Sequence, residues 1–175
     1  SFPAKLTDCG AHAFDELSYP GDSIKQEYKE DILVGYRWHD TKEIPALFPF
    51  GHGLSYTTFT YGKPVASAKA MAADGTLTVT VAVKNTGSIA GKEIVQLYVG
   101  DDKCSVLRPV KELKHFAKVG LAPGEEKSVT FTLTPDDLKF YDEASAAWKY
   151  EPGKFKAYVC ASSADVRGVV SFEMQ

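Results

Sequence analysis

Among the adjacent carboxylates of this sequence, the pairs Asp101-Asp102, Glu125-Glu126, Asp136-Asp137 and Asp142-Glu143 are candidates for acid and base chemistry. Shared proton work needs both carboxylates in one pocket, and neighbours along a strand point to opposite faces. These pairs fall in turns or at a helix start, so they read as solvated turn residues and helix caps, the usual fate of charged side chains. The four histidines, His12, His39, His52 and His115, show no H-x-x-x-H or comparable ligand spacing. The three cysteines, Cys9, Cys104 and Cys160, are too few and too widely spaced for a disulfide framework or a zinc site of paired thiolates, and one bridge is the most they allow. No metal site and no cofactor are expected.

Any site must be positioned by elements of two kinds. From about residue 75 the chain alternates with period two, in runs separated by turn residues. Leu77, Val79, Val81 and Val83 share one face, and Asn85-Thr86-Gly87 follows as a turn. Val95, Leu97 and Val99, then Leu113 to Val119, then Val129, Phe131 and Leu133 repeat the pattern, with Ala122-Pro123-Gly124-Glu125 as a turn. Glu151-Pro152-Gly153 precedes Phe155, Ala157 and Val159, and a last run covers Val169 to Phe172. Thr134-Pro135-Asp136-Asp137 predicts one short helical turn, with Thr134 as its cap and Pro135 at the first position. Six or seven short strands in roughly 110 residues predict an all-β fold, two antiparallel sheets packed face to face as an immunoglobulin-like β-sandwich.

Residues 1 to 62 read as largely irregular chain, broken by Pro3, Pro20, Pro45, Pro49 and the Gly51-His52-Gly53 cluster. Nine aromatic residues nevertheless crowd between Tyr19 and Tyr61. That much apolar surface on irregular backbone must pack against something, and the sandwich reads as too small to cover it. The expected division is therefore 1–62 as an aromatic-rich linker and 63–175 as the sandwich. With 175 residues, 44% of them hydrophobic and 25% charged, and a formal net charge of −3, the chain has the composition of a globular protein. It lacks the positive field that nucleic acid or an anionic membrane requires, and no apolar run reaches the length of a spanning helix. Neither partner is expected. The opening Ser1-Phe2-Pro3 carries no initiator Met or signal peptide, as in a processed or truncated polypeptide.

The stretch from Leu47 to Phe59, Leu-Phe-Pro-Phe-Gly-His-Gly-Leu-Ser-Tyr-Thr-Thr-Phe, closely resembles the segment preceding the fibronectin type III-like domain of family 3 glycoside hydrolases. The likeness continues through Gly35-Tyr36-Arg37 upstream. Downstream it takes in Val95 to Val99, Arg108-Pro109-Val110-Lys111-Glu112-Leu113, Phe140-Tyr141-Asp142 and Glu151-Pro152-Gly153. Asp31, Trp38-His39, Cys104 and His115 depart from the family's usual residues. The resemblance implies a fibronectin type III-like β-sandwich and a β-glucosidase-like parent. That parent's catalytic (β/α)8 barrel and α/β sandwich domains lie upstream of Ser1 and are the expected partners. Residues 1–62 would be the end of the α/β sandwich domain and a linker wrapping the catalytic domains.

Retaining hydrolysis needs two carboxylates about 5 to 5.5 Å apart. The resemblance places both upstream, so no catalytic residue is expected in this chain and an oligosaccharide substrate is met only indirectly. A secreted or periplasmic location is expected, and the cysteine usage leaves a cytoplasmic one open.

Four residues are candidates for substrate contact, each with a plainer alternative. Arg37 and Trp38, on the linker, reach an active-site rim or serve as an interdomain ion pair and interface packing. His52 lines a ligand pocket, or its imidazole bonds a backbone group while Gly51 and Gly53 supply unusual dihedrals. Trp148, with Tyr141, forms an exposed sugar-stacking platform or packs over the core edge. The rival to an accessory part of a hydrolase is a free-standing carbohydrate-binding or dimerising module.

Overall fold

Period-two alternation becomes strand wherever both sides of the pleat find a neighbour, and the computed structural model, which describes residues 1–175, shows where they do. The first third of the chain holds β1 (Phe2–Pro3), single 3-10 turns at Leu6–Asp8 and Gly10–His12, α1 (Tyr36–Thr41) and β2 (Ala46–Phe48). Short strands β3 (Phe59–Tyr61), β4 (Val65–Ala66) and β5 (Ala70–Met71) lead into β6 (Leu77–Asn85), β7 (Gly91–Asp101), β8 (Glu112–Leu121) and β9 (Glu126–Leu133). Then come α2 (Pro135–Leu138), β10 (Phe140–Asp142), β11 (Ala147–Lys149), β12 (Gly153–Cys160) and β13 (Val166–Met174).

One sheet has the order β5-β13-β12-β7-β8. In the other, β6 pairs with β9 along one edge and with β3 and β4 in succession along the opposite edge. The alternating apolar residues of β6, β7, β9 and β12 meet between the sheets, with Met71, Leu138, Phe172 and Met174 closing the ends of one core. Outward-facing threonines of β6 and β9 pair across the strands, Thr80 Oγ1 lying 2.9 Å from Thr130 Oγ1. The helical turn forms as predicted: the Asp137 carboxylate accepts from the Thr134 backbone N–H at 2.8 Å and from its hydroxyl at 3.0 Å, with Pro135 in the first turn.

The boundary at residue 63 falls inside the sandwich. Phe59 and Tyr61 pair with Asn85 and Val83. Just before them the Thr57 hydroxyl donates to the buried Asn85 Oδ1 at 2.6 Å, while Asn85 Nδ2 donates to the carbonyls of Ile89 and Leu121. A buried amide must be fully satisfied, and this one recruits the end of the linker as an edge strand.

Strand β7 departs from simple alternation, because Gln96, Tyr98 and Gly100 on its outer face are as buried as Val95, Leu97 and Val99 within. The first 56 residues form a strap that covers this outer face. The Tyr36 ring lies 5.5 Å from Tyr98 and 5.4 Å from Phe50, and its hydroxyl accepts the Leu113 N–H at 2.9 Å. One helical turn later Asp40 meets the Lys111 ammonium at 2.6 Å, both side chains nearly buried, and Thr41 Oγ1 accepts the Val110 N–H. Gly51, at φ +79°, lies so close over Gln96 that a Cβ there would collide with its side-chain amide. The sandwich therefore covers part of the strap, more than the sequence suggests. Much of the strap stays uncovered: Ile24, Leu54 and Tyr56 are more than nine-tenths exposed.

Asp40→Ala leaves the Lys111 ammonium buried without its partner, a loss of about 3 to 5 kcal/mol. Urea unfolding of the variant should show that loss, and amide exchange at Tyr36–Thr41 should accelerate more than in β6 or β9. Asp40→Ala combined with Lys111→Met should recover most of the stability.

Candidate binding depression at the strap and sandwich junction

A depression of about 870 Å³ opens where residues 31–37 of the strap, the segment 106–114 and the β10–β11 hairpin come together. Its floor is built on Arg108, whose side chain is nearly buried. Its Nη2 donates to Glu112 Oε2 at 2.8 Å, its Nη1 donates to the Leu138 carbonyl at 3.0 Å, and Asp101 Oδ2 lies 3.5 Å from Nη1. The guanidinium also stands 5.6 Å over the Phe140 ring. Arg37 reaches Glu112 Oε1 at 3.3 Å from the strap, and Lys114 reaches Oε2 at 3.5 Å from β8. Burial opposes the charge on Glu112, yet Lys114, Arg108 and Arg37 together outweigh it and hold the carboxyl below the usual range. Burial, with repulsion from Arg108, lowers the Lys114 ammonium against the pull of Glu112.

The rim is aromatic. Tyr141 and Trp148 stand opposite each other on β10 and β11, ring centroids 5.7 Å apart at 70°, and they are 50% and 65% exposed. Asp142 closes the hairpin, its carboxylate accepting from the Ser145 N–H and hydroxyl and pairing with Lys149 at 3.1 Å.

Of the four candidate contact residues, the fold brings Arg37 and Trp148 to this one depression. Tyr141 and Trp148 pack on each other across the β10–β11 hairpin, whose Phe140 and Asp142 are buried, and half or more of each residue stays exposed. Trp38 lies elsewhere, 6% exposed inside the strap. Its indole N–H donates to the Asp8 carbonyl at 3.1 Å, and Phe14 packs edge-on at 5.7 Å. His52 borders a second depression of about 660 Å³ with Lys92 and Arg167. Its ring leans on Phe48 at 5.4 Å instead of bonding a backbone group, and Gly51, not Gly53, has the positive φ.

Two of the acidic residues read as solvated are not: Asp101 is buried against Arg108, and Asp142 is buried as the hairpin's internal cap. Arg108, Glu112 and Lys114 were not singled out as site residues from the sequence. Arg108 and Glu112 lie in a stretch that carries the family resemblance and Lys114 in the alternating run from Leu113, but neither signal says which side chains converge. No group of three or more His, Cys, Asp or Glu side chains is placed to hold a metal ion.

Residues 93–163 match the fibronectin type III-like domain family. Over 173 residues the chain is 66% identical to a β-glucosidase of Bacteroides ovatus, covering 99% of this chain and 23% of that protein. It is 49% identical to thermostable β-glucosidase B of Acetivibrio thermocellus, covering 95% of this chain and 22% of the relative. The crystal structure of DesR, a β-glucosidase from Streptomyces venezuelae in complex with D-glucose, superposes with a TM-score of 0.89 at 40% identity, over all of this chain and 22% of that one. The chain corresponds to the C-terminal part of the family 3 glycoside hydrolases. It spans about a fifth to a quarter of the length of these relatives, and its sandwich is their fibronectin type III-like domain.

A carboxyl whose folded pKa is depressed adds stability that is present above its ordinary value of 4.5 and is lost as pH falls through the depressed one. Glu112→Gln should therefore be about 2 kcal/mol less stable than the native chain at pH 7, the scale of a charge-assisted hydrogen bond. That gap should narrow below pH 4.5, as followed by thermal melts across pH.

Proposed function

We propose that this chain is the non-catalytic C-terminal portion of a β-glucosidase-like hydrolase and stabilises the catalytic domains, a barrel and an α/β sandwich, by docking its strap on them. The parent would carry out retaining hydrolysis of terminal glycosyl residues. The observation that carries this reading is the distribution of exposed apolar surface. Of 24 large hydrophobic residues exposed to solvent, 13 lie in the first 56 residues, ending with Leu54 at 94% and Tyr56 at 97%. Irregular backbone presenting that much apolar surface calls for a partner, and the relatives are four to five times longer than this chain.

The acidic groups support the non-catalytic half. The best-placed carboxylates, Asp101 and Glu112, share the Arg108 guanidinium, and three cations keep Glu112 deprotonated. A general acid needs the opposite, a carboxyl that holds its proton near neutral pH.

The purified chain should not hydrolyse aryl β-glucosides, and turnover by it would overturn this reading. Leu54→Ser with Tyr56→Ser should change the melting stability of the isolated chain by less than about 0.5 kcal/mol, as expected for exposed positions. In the full-length parent the same pair should cost about 2 to 4 kcal/mol, the scale of uncovering two buried side chains. Equal small effects in both would remove the docking role.

A further inference from the structure

We infer that the depression between Arg37 and Trp148 is a glycan-binding site in its own right, one that holds a neutral saccharide without cleaving it. The inference goes beyond the docking role, because it concerns the charged depression beside the β10–β11 hairpin, which shares only Ile32 with the exposed apolar side chains of the strap, and it stands on that depression's chemistry.

The charges lining the depression cancel. Arg37, Arg108, Lys114 and Lys139 supply four positive charges, and Asp31, Glu112, Asp142 and Glu143 supply four negative ones. An anion or a cation entering here meets as much repulsion as attraction, so the electrostatics favour a neutral ligand. The ligand must also be polar. The floor is a network of ions held by Arg108 and Glu112, with side chains between 7% and 16% exposed at Arg108, Glu112 and Lys114. Covering them with an apolar surface would remove their remaining hydration without replacing it, and protein interfaces avoid charged residues at their centres. A polyhydroxylated ligand replaces that water group for group, since each hydroxyl donates to a carboxylate and accepts from a guanidinium or ammonium. Arg37 is suited to this exchange: its one ion pair, to Glu112, leaves N–H donors of a partly exposed guanidinium at the edge of the depression.

The rim supplies the other half of sugar recognition. A pyranose ring has apolar C–H faces and a polar circumference. Trp148 and Tyr141 offer large exposed rings beside the charged floor, Trp148 at 65% and Tyr141 at 50% exposure. Their tilt of 70° suits contact with two successive units of a chain that turns, more than one flat surface. A concave site with aromatic walls and a few fixed polar groups is the usual form of a small-ligand pocket. Neither ring is needed by the fold, so both can be changed without disturbing it.

The test is affinity electrophoresis of the 175-residue chain through gels containing soluble mixed-linkage β-glucan, a soluble α-glucan or xylan. Tryptophan emission would be titrated in parallel with the matching hexasaccharides. The choice of β-glucan as first probe rests on the β-glucosidase-like reading; the other two polymers separate failure of that reading from failure of the site. Retardation by β-glucan is the expected result, with Trp148→Ala weakening it about tenfold and Tyr141→Ala or Arg37→Ala several-fold, the scale of one desolvated aromatic face. Trp148→Ala and Tyr141→Ala should keep the native melting temperature, and Arg37→Ala, which takes one partly exposed cation from Glu112, should lower it only slightly. Retardation by α-glucan or xylan instead would confirm the site and count against the β-glucosidase-like reading. Mobility unchanged by every polymer would overturn the inference, as would retardation that Trp148→Ala leaves intact. A Trp148→Ala variant that loses self-association or association with catalytic domains, with no glycan effect, would assign the surface to a protein and overturn it equally.

Discussion

The arrangement of this chain depends on one nearly buried ion pair, Asp40 with Lys111, at 2.6 Å. Neither charge is stable in that position alone, because removing one partner strands the other in a poorly hydrated site. The pair therefore fixes where α1 lies on the sandwich, and α1 is a single short helix whose residues take different duties from the same placement. Tyr36 covers Tyr98 and accepts the Leu113 N–H, Thr41 accepts the Val110 N–H, and Arg37 is carried over Glu112. A helix of six residues has little stability by itself, so its geometry is that of its docking. The outer face of β7, which a free sandwich would expose, becomes a second packed layer.

The Arg108 cluster follows from that placement. The segment 102–111 has no regular backbone pattern, and Arg108 ties it to α2 through the Leu138 carbonyl, to β7 through Asp101 and to β8 through Glu112. Arg37 completes the charge balance from the strap. The same side chains that secure the junction thus form the floor of the depression beside Tyr141 and Trp148. This dual use occupies Glu112: Lys114, Arg108 and Arg37 hold its carboxyl below the usual range, and its oxygens pair with those cations within the chain.

The strap divides its apolar side chains between two destinations. Trp38, Leu33 and Tyr36 are covered within the chain, Trp38 by Phe14 and by the close approach of Gly10. Ile24, Leu54 and Tyr56 are not. Two tryptophans in one sequence thereby end in opposite states, Trp38 inside and Trp148 outside, although both belong to a residue type that usually buries a large area.

What the sequence determined by itself was local and periodic. The β6, β7, β9 and β12 faces were legible because a pleated strand has a period of two and a one-sided core repeats it. The helical turn at Thr134 was legible because cap chemistry is contained within four residues. The motif from Leu47 to Phe59 pointed to the family without any fold. The tertiary structure alone decided everything that depends on which distant segments meet: that Gln96 and Tyr98 are buried under the strap, that Asn85 draws Thr57 and β3 into the sandwich, that Asp101 and Asp142 are internal, and that Arg37 and Trp148 share a depression while Trp38 and His52 do not. Residues 37, 112 and 148 have no periodic relation along the chain. Their meeting is set by long-range packing and by the need of each buried charge to find an opposite one, and neither is written in any local stretch of sequence.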